Sequence, residues 1–404
     1  MSRRISVSYQ LSSPSGEAIF KRNDDPNVLT WNHLSKIEDF RREILHRVEM
    51  PFWKVLTYWT GTCLRALTWD PMIWVAMVVF GLVRYHARTT AEMPQVFETL
   101  GDSFNIEVIG GFLSFFLVIF VNQTNTRYFD MYKLAKASAG RVQDIAGLAA
   151  ANFPRASAHR INRYMNAAHL AGYVGLGGPY KRKNFFDHFN KKHNLLTGAE
   201  LARLEVVNGS MDLGSAVFKE LITWCQKDIY IAQKAGHVDS YQVVQLHGKI
   251  LDLRAAMDGI YDYCDQPIPF FYIHFICLLT AFYLPLFAMD AAYSSGWGDE
   301  ASWRMEILNA LLVLLLCIFV VGLRVLGQRM IDPFGMDLED LSVLTYAITT
   351  IENCRIILAS QDASDVNETM ELDLSKHAGS STDSDDSDTR NSSGKSDYSF
   401  LISD

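Results

Sequence analysis

An acidic turn follows the last long apolar stretch of the chain. The segment 331–340 reads IDPFGMDLED and places four carboxylates in and just after an Asp-Pro-Phe-Gly turn. Carboxylate oxygens are the ligands that Ca²⁺ prefers in proteins. The segment therefore predicts a hinge and a divalent-cation site. The alternative is that Asp337 and Asp340 only stabilise the N-terminus of the following helix.

A second candidate site is an aromatic stripe within the apolar stretch 108–126. Gly111, Phe115 and Ile119 recur every four residues, so they fall on one face of a helix, with Phe112 beside them. Aromatic ring edges carry positive character and can face a partly dehydrated anion. An apolar constriction can also gate a pore by dewetting. Ordinary packing, in which glycines let helices approach closely, fits the stripe equally well.

The elements that must position both sites are apolar helices. Stretches almost free of charged residues lie at 71–83, 108–126, 268–289 and 307–323. The last three approach the about 17–25 residues that cross a bilayer. The first is short, but it can be extended past Asp70, and Arg84 can reach the membrane surface with its long side chain. The pattern predicts an all-α membrane protein with four transmembrane helices rather than a soluble protein with buried core helices.

Basic residues are unevenly distributed around these stretches. The two short loops, 86–102 and 290–302, contain few of them. The other flanks are rich in them: Arg41, Arg42, Arg47, Lys54, Arg127, Lys133, Lys136, Arg141, Arg324 and Arg329. Because cytosolic loops carry the excess of Lys and Arg, both termini and the long middle region are predicted to be cytosolic.

This topology divides the chain into predicted regions. They are a cytosolic N-terminal segment (1–56), the first two transmembrane helices with the pore neck (57–126), a helical cytosolic domain (127–265), the last two transmembrane helices (266–324), the acidic hinge with a further helix (325–360), and a Ser/Asp-rich tail (361–404). Within these regions, helices are predicted at 34–48, at 137–153 and from about 338 to 358. We expect the tail to be disordered, because it has too few large apolar groups to repay its ordering entropy.

Several short motifs, in order along residues 1–358, make the chain similar to a known family. They are Asn-Thr-Arg-Tyr at 125–128, Arg-Tyr-Met-Asn at 163–166, Leu-Leu-Thr at 195–197, Pro-Ile-Pro at 267–269 and the Asp-Pro-Phe-Gly turn at 332–335. Each motif alone is weak, but the ordered set resembles the bestrophin family of pentameric anion channels. The resemblance implies a bestrophin-like homopentamer, with four transmembrane helices per chain around a central pore.

The resemblance also implies positions for the pore. The family's hydrophobic neck falls on Gly111, Phe115 and Ile119. Gly111 departs from the bulky residue expected there, so either the outer neck is wider or Phe112 takes its place. The family's cytosolic aperture falls on His237 or Val238. A histidine ring at the exit would be titratable near neutral pH, whereas the alternative is a surface histidine in a loop.

The acidic turn matches the family's regulatory calcium site. The matching carboxylates are Asp337 and Asp340, and Asp332 stands where the family uses a main-chain carbonyl. The resemblance implies a further carbonyl from the N-terminal segment, near residues 12–14. Met336 and Leu338 dilute the acidic run of the family. Calcium is therefore expected as a regulatory cofactor.

The resemblance thus implies a calcium-gated channel for chloride, with bicarbonate as a second candidate ion. The alternative is a non-conducting membrane scaffold or adaptor of the same fold. No nucleophile–base pair or phosphate loop is recognisable, so no enzymatic activity is expected.

Expected partners are small anions, lipid and further copies of the chain, without nucleic acid. The plasma membrane is the preferred location, with the thylakoid or another organelle membrane as alternatives.

Overall fold

The computed structural model describes residues 34–41, 51–57, 59, 62–90, 106–208, 214–297, 302–335, 337 and 339–361. These residues form helices and connecting turns, and none of them lies in a β-strand. In chain order the helices are α1 (34–41), α2 (Phe52–Leu56), α3 (Cys63–Thr68), α4 (Pro71–Thr89), α5 (Ile106–Asn152), α6 (Arg155–Tyr173), α7 (Asp187–His193, after a π-helical turn at Arg182–Phe186), α8 (Gly198–Asn208), α9 (Gly214–Lys234), α10 (Ser240–Asp265), α11 (Phe270–Tyr293), α12 (Trp303–Arg329) and α13 (Val343–Ser360).

Three of the described helices, α5, α11 and α12, are long and apolar enough to cross a membrane. They confirm an all-α membrane fold. The first predicted span corresponds to α4, which has 19 residues and carries Arg84 and Arg88 near its end, and it is not among the three. The predicted count of four crossings is therefore not confirmed. Helix α4 nevertheless packs against α11 and α12 and buries Ile73, Ala76 and Phe80 there.

Helix α5 is one unbroken helix of 47 residues. The sequence predicted a span at 108–126 and a separate helix at 137–153. The helix continues because no proline interrupts it and because one stripe, from Leu113 through Met131 to Ala149, stays buried along its length. At 1.5 Å per residue it is about 70 Å long, more than twice the thickness of a bilayer core.

Buried ion pairs join α4 to α12 at both ends. Glu306 receives hydrogen bonds from both Arg84 and Arg88, and Arg84 also donates to the main-chain oxygen of Ala292, at 3.0 Å. At the other end Asp70 caps α4 and is paired with Arg324. Charges that pair inside an apolar bundle fix which helix ends lie together, because separating them would leave a buried charge without its partner.

A buried amide ties α12 to the end of α11. The Asn309 side chain donates to the main-chain oxygen of Ala291, at 3.1 Å, and to the Ser295 hydroxyl, at 2.8 Å.

We expect Asn309→Leu to lower the free energy of unfolding by about 1–3 kcal/mol, because it removes the donor from buried acceptors. Thermal unfolding of the detergent-solubilised protein measures this. Leu311, an exposed residue on the same helix, provides the control. Leu311→Ala should change the free energy of unfolding by no more than about 0.5 kcal/mol.

A large apolar core is formed mainly by buried residues between Met131 and Ile260, that is, between the second and third apolar stretches. We call it the intervening core. Helix α6 lies at its centre, packed on α5 and α9, and is buried on all sides from Tyr164 to Tyr173. Within it, burial lowers the pKa of His169 to about 4, so this histidine is neutral and lies 3.3 Å from the Ser138 hydroxyl. Phe334 and helix α13 also belong to this core.

The remaining expectations concern the chain ends. A helix predicted over 34–48 is present where it is described, at 34–41, and residues 42–48 lie outside the described residues. Residues 12–14 and the tail at 361–404, apart from Gln361, also lie outside the described residues. The chain divides into two compact units, 1–358 and 359–404, and the features discussed below belong to the first.

Candidate functional site

The acidic hinge is anchored in the intervening core by Phe334. This side chain is fully buried, with its ring 6.2 Å from that of Tyr173. Gly177 lies so close to the Phe334 carbonyl that a Cβ there would overlap it. Helix α13 begins at Val343 rather than near residue 338, because the acidic residues before it form turns. The carboxylates therefore precede the helix and do not occupy its first turn, which argues against a capping role alone.

Asp340 is the most enclosed carboxylate of the hinge, with its side chain 1% exposed. Its Oδ2 accepts a hydrogen bond from the main-chain nitrogen of Asp337, at 2.6 Å, whereas its Oδ1 is buried without a hydrogen-bond partner among the described residues. Gly335 makes room for it, since a Cβ there would lie 2.7 Å from Oδ2. Burial, with a smaller contribution from Asp337, raises the pKa of Asp340 to about 8. Burial destabilises the ionised form of this carboxylate more than the nearby positive charge stabilises it.

A cation from the N-terminal segment already lies beside this carboxylate. Arg41 donates from Nη2 to the main-chain oxygen of Asp337, at 2.7 Å, and the same nitrogen lies 3.9 Å from Asp340 Oδ2. Helix α1, which carries Arg41, is docked by its buried apolar residues and by Glu38, which accepts hydrogen bonds from the hydroxyls of Ser342 and Thr345. The N-terminal segment therefore does reach the hinge, through α1.

Sequence reasoning missed Arg41 as a hinge residue. It placed the N-terminal contribution near residues 12–14, which lie outside the described residues. The available signal was the Glu38–Arg41 pair, whose spacing of three residues places both on one face of a predicted helix. In the structure Arg41 Nη1 lies 3.7 Å from Glu38 Oε2. That signal indicates a helix but not its docking partner.

The predicted calcium ligands meet only in part. Burial is the main cause that raises the pKa of Asp337, as for Asp340. The main-chain oxygen of Asp332 accepts from the Gly335 nitrogen at 3.2 Å. Within the described part of the chain, no three His, Cys, Asp or Glu side chains are grouped closely enough to hold a metal ion. The oxygens that suit a hard cation are Oδ1 of Asp340, which has no hydrogen-bond partner among the described residues, the carboxylate of Asp337, and main-chain carbonyl oxygens.

The predicted neck residues lie together on one exposed face of α5. Phe112 and Phe115 are each 60% exposed, Ile119 is exposed beside them, and a Cβ added to Gly111 would meet no atom within 4 Å. The opposite face is buried in the membrane bundle: Leu113, Leu117 and Phe120. The helix is fixed in this orientation by α11, whose Tyr272 hydroxyl donates to the Phe116 carbonyl, at 3.0 Å. An apolar aromatic face of this kind is left uncovered by the described residues of the single chain.

The two candidates for the aperture differ in accessibility. His237 is exposed in the turn between α9 and α10, directly after Gly236, whose φ of 73° favours glycine. Val238 is 7% exposed and belongs to the intervening core. A buried side chain cannot line an opening, so His237 is the accessible one of the pair. The aperture itself stays a prediction.

Comparisons with known proteins agree on one family. A family model described as "Bestrophin, RFP-TM, chloride channel" matches residues 39–354. A curated relative, Bestrophin homolog 24 of Caenorhabditis elegans, is 22% identical over 296 residues, which are 71% of this chain and 45% of that protein. The match thus spans less than half of the relative's length.

Solved structures support the same fold. Two crystal structures of variants of a bacterial bestrophin homologue from Klebsiella pneumoniae are similar to this chain. One has a TM-score of 0.61 at 15% identity, covering 74% of this chain and 100% of the other. The second has a TM-score of 0.58 at 16% identity, covering 71% and 99%. At this level of identity the likeness shows the fold alone.

Proposed function

Because the chain belongs to the bestrophin family, we propose that it is an anion channel that carries chloride, with bicarbonate as a second candidate ion, across a membrane. The observation that carries the proposal is the exposed face of α5, where Phe112, Phe115 and Ile119 lie side by side within a helix able to cross a membrane. Membership of a channel family also agrees with the expectation that the chain is not an enzyme.

The proposed pore is built from several copies of this face. Lipid can cover an exposed apolar face of a membrane helix, as on α12, so it is the family resemblance that assigns the α5 face to the neck. In a pentamer, the exposed faces surround one axis, and aromatic ring edges face the permeating anion. Gly111 would widen the outer end of this neck, because nothing within 4 Å fills the place of its missing side chain.

Calcium regulation is proposed for the acidic hinge. Asp337 and Asp340 would supply carboxylate oxygens and Asp332 a main-chain oxygen. The bound ion would add to the positive charge of Arg41 beside the buried Asp340. One support is Oδ1 of Asp340, which has no hydrogen-bond partner among the residues that the structure describes. The other is the link between the hinge and α5, in which the Tyr128 hydroxyl donates to the main-chain oxygen of Glu339, at 2.5 Å. A change in the hinge would thereby reach the helix that carries the neck.

Purified full-length protein in a planar lipid bilayer tests the proposal. We expect currents that reverse near the chloride equilibrium potential when a chloride gradient is applied, and that follow the anion when the cation is exchanged. A correctly assembled protein that passes no current at any calcium concentration would contradict the channel proposal, and would favour the alternative of a membrane scaffold. Size-exclusion chromatography coupled to light scattering establishes whether the sample is a pentamer.

A further inference from the structure

The exposed face of α5 continues without interruption below the proposed neck. Eighteen residues make five full helical turns, so residues 18 apart lie directly in line, about 27 Å from each other along the axis. By this repeat Phe129 follows Gly111 and Lys133 follows Phe115, and Lys136 lies one turn further on the same side. We infer that Lys133 and Lys136 line the cytosolic approach to the neck and concentrate chloride there. This inference rests on the proposed channel function.

Packing keeps both lysines on the open side of the helix. Met131 and Ala135 are buried in the intervening core, on the opposite face. Lys133 is 72% exposed, and the Lys136 ammonium is held 5.1 Å from the centre of the Tyr346 ring, which fixes its direction without neutralising its charge. The positive charges are therefore available to a solute that passes along this face.

The local charge remains positive after its partners are counted. Asp130 lies 3.1 Å from the Lys133 ammonium and also accepts a hydrogen bond from the Tyr263 hydroxyl, so it offsets one of the two lysines. The next acidic residue along this face, Asp144, is held by Arg141 and Lys249. Around an axis, the remaining charge of each copy adds to that of its neighbours. Like charges that line an opening with low-dielectric walls raise the local concentration of the opposite ion.

The proposal is tested by single-channel recording of the full-length double variant Lys133→Gln with Lys136→Gln. At about 0.01 M salt, where the Debye length is about 30 Å, we expect conductance for chloride leaving the cytosolic side to fall at least about twofold. At about 1 M salt the Debye length is about 3 Å, and the variant should conduct like the wild type. Both lysines are exposed and glutamine keeps most of their length, so folding should be retained.

A matched control removes the same charge from another surface. Lys191 and Lys192 are exposed on a different helix, α7, and their double glutamine variant should conduct like the wild type at both salt concentrations. An equal loss in this control, or a loss in the α5 variant that does not vanish at high salt, would overturn the assignment. So would unchanged conductance in the α5 variant.

The outcomes separate this inference from the function on which it depends. If the wild type conducts anions and the lysine variant has the same conductance, the lysine assignment fails while the channel proposal stands. If the wild type passes no anion current, both fail. A second readout is access: in a Cys63→Ser background, Lys133→Cys should react with a negatively charged, membrane-impermeant thiol reagent applied from the cytosolic side. Protection from the reagent would place this face in a contact between copies and overturn the inference.

Discussion

Alanine at both Asp337 and Asp340 is expected to abolish the calcium dependence of the current. These two residues would supply the carboxylate ligands of the proposed calcium site, and the buried Asp340 has an oxygen without a hydrogen-bond partner among the described residues. Without them, the proposed site would retain only neutral carbonyl oxygens, which bind calcium far more weakly than a set that includes carboxylates. Bilayer recording with and without free calcium measures the loss. Calcium titration calorimetry provides a readout that does not depend on conduction.

A neighbouring acidic residue provides the control for the hinge. Glu339 lies between the two aspartates, but its carboxylate is paired with Arg329, at 2.7 Å. Glu339→Gln should therefore leave the calcium response and the calcium affinity close to those of the wild type. The isosteric pair Asp337→Asn with Asp340→Asn shows whether a loss reflects ligand charge or folding. A calcium response that survives in the alanine pair would place the sensor elsewhere in the chain.

Alanine at both Phe115 and Ile119 is expected to change the selectivity of the proposed neck. The two side chains lie one turn apart on the exposed face of α5, where they would narrow the pore and force an ion to shed water. Removing them widens the opening, so strongly hydrated anions should gain relative to weakly hydrated ones. We expect permeability ratios, measured from reversal potentials after ion substitution, to shift by at least about threefold, equivalent to about 0.7 kcal/mol.

An equivalent pair on another helix controls for the loss of apolar volume. Leu311 and Leu315 are spaced like Phe115 and Ile119 and are similarly exposed, but they lie on α12. Their double alanine variant should keep the wild-type permeability ratios. If the α5 variant also keeps both its ratios and its gating, the neck lies on other residues.

Much of the fold follows from local sequence pattern. Apolar stretches predict α5, α11 and α12, because a bilayer-length run of apolar residues is a strong signal. The four-residue spacing predicts that Gly111, Phe115 and Ile119 share a face. The polar residues 122–127 led to a predicted break that does not exist, since a helix can leave a membrane without ending. Helix ends are set by hydrogen-bonding partners as much as by composition, so the start of α13 was placed too early.

The parts that were not predicted depend on contacts between distant segments. The hydrogen bonds of Arg41 with the Asp337 carbonyl join residues 296 positions apart, and no local pattern encodes such a pairing. The same reason applies to Val238. Its neighbour His237 is exposed, and only the packing of the intervening core shows which of the two side chains faces inward.

The uninterrupted length of α5 has a mechanical consequence. A rod about 70 Å long that is clamped at one end moves most at the other, so a tilt of about 5° displaces its far end by about 6 Å. Helix α5 packs on α6 and α10 in the intervening core, and the neck residues lie near its other end, where α5 packs on α11 and α12. Small rearrangements of that core would therefore be amplified into large changes in pore radius. If the hinge gates the channel as proposed, the stiffness of this one helix would set how strongly the hinge is coupled to the proposed neck.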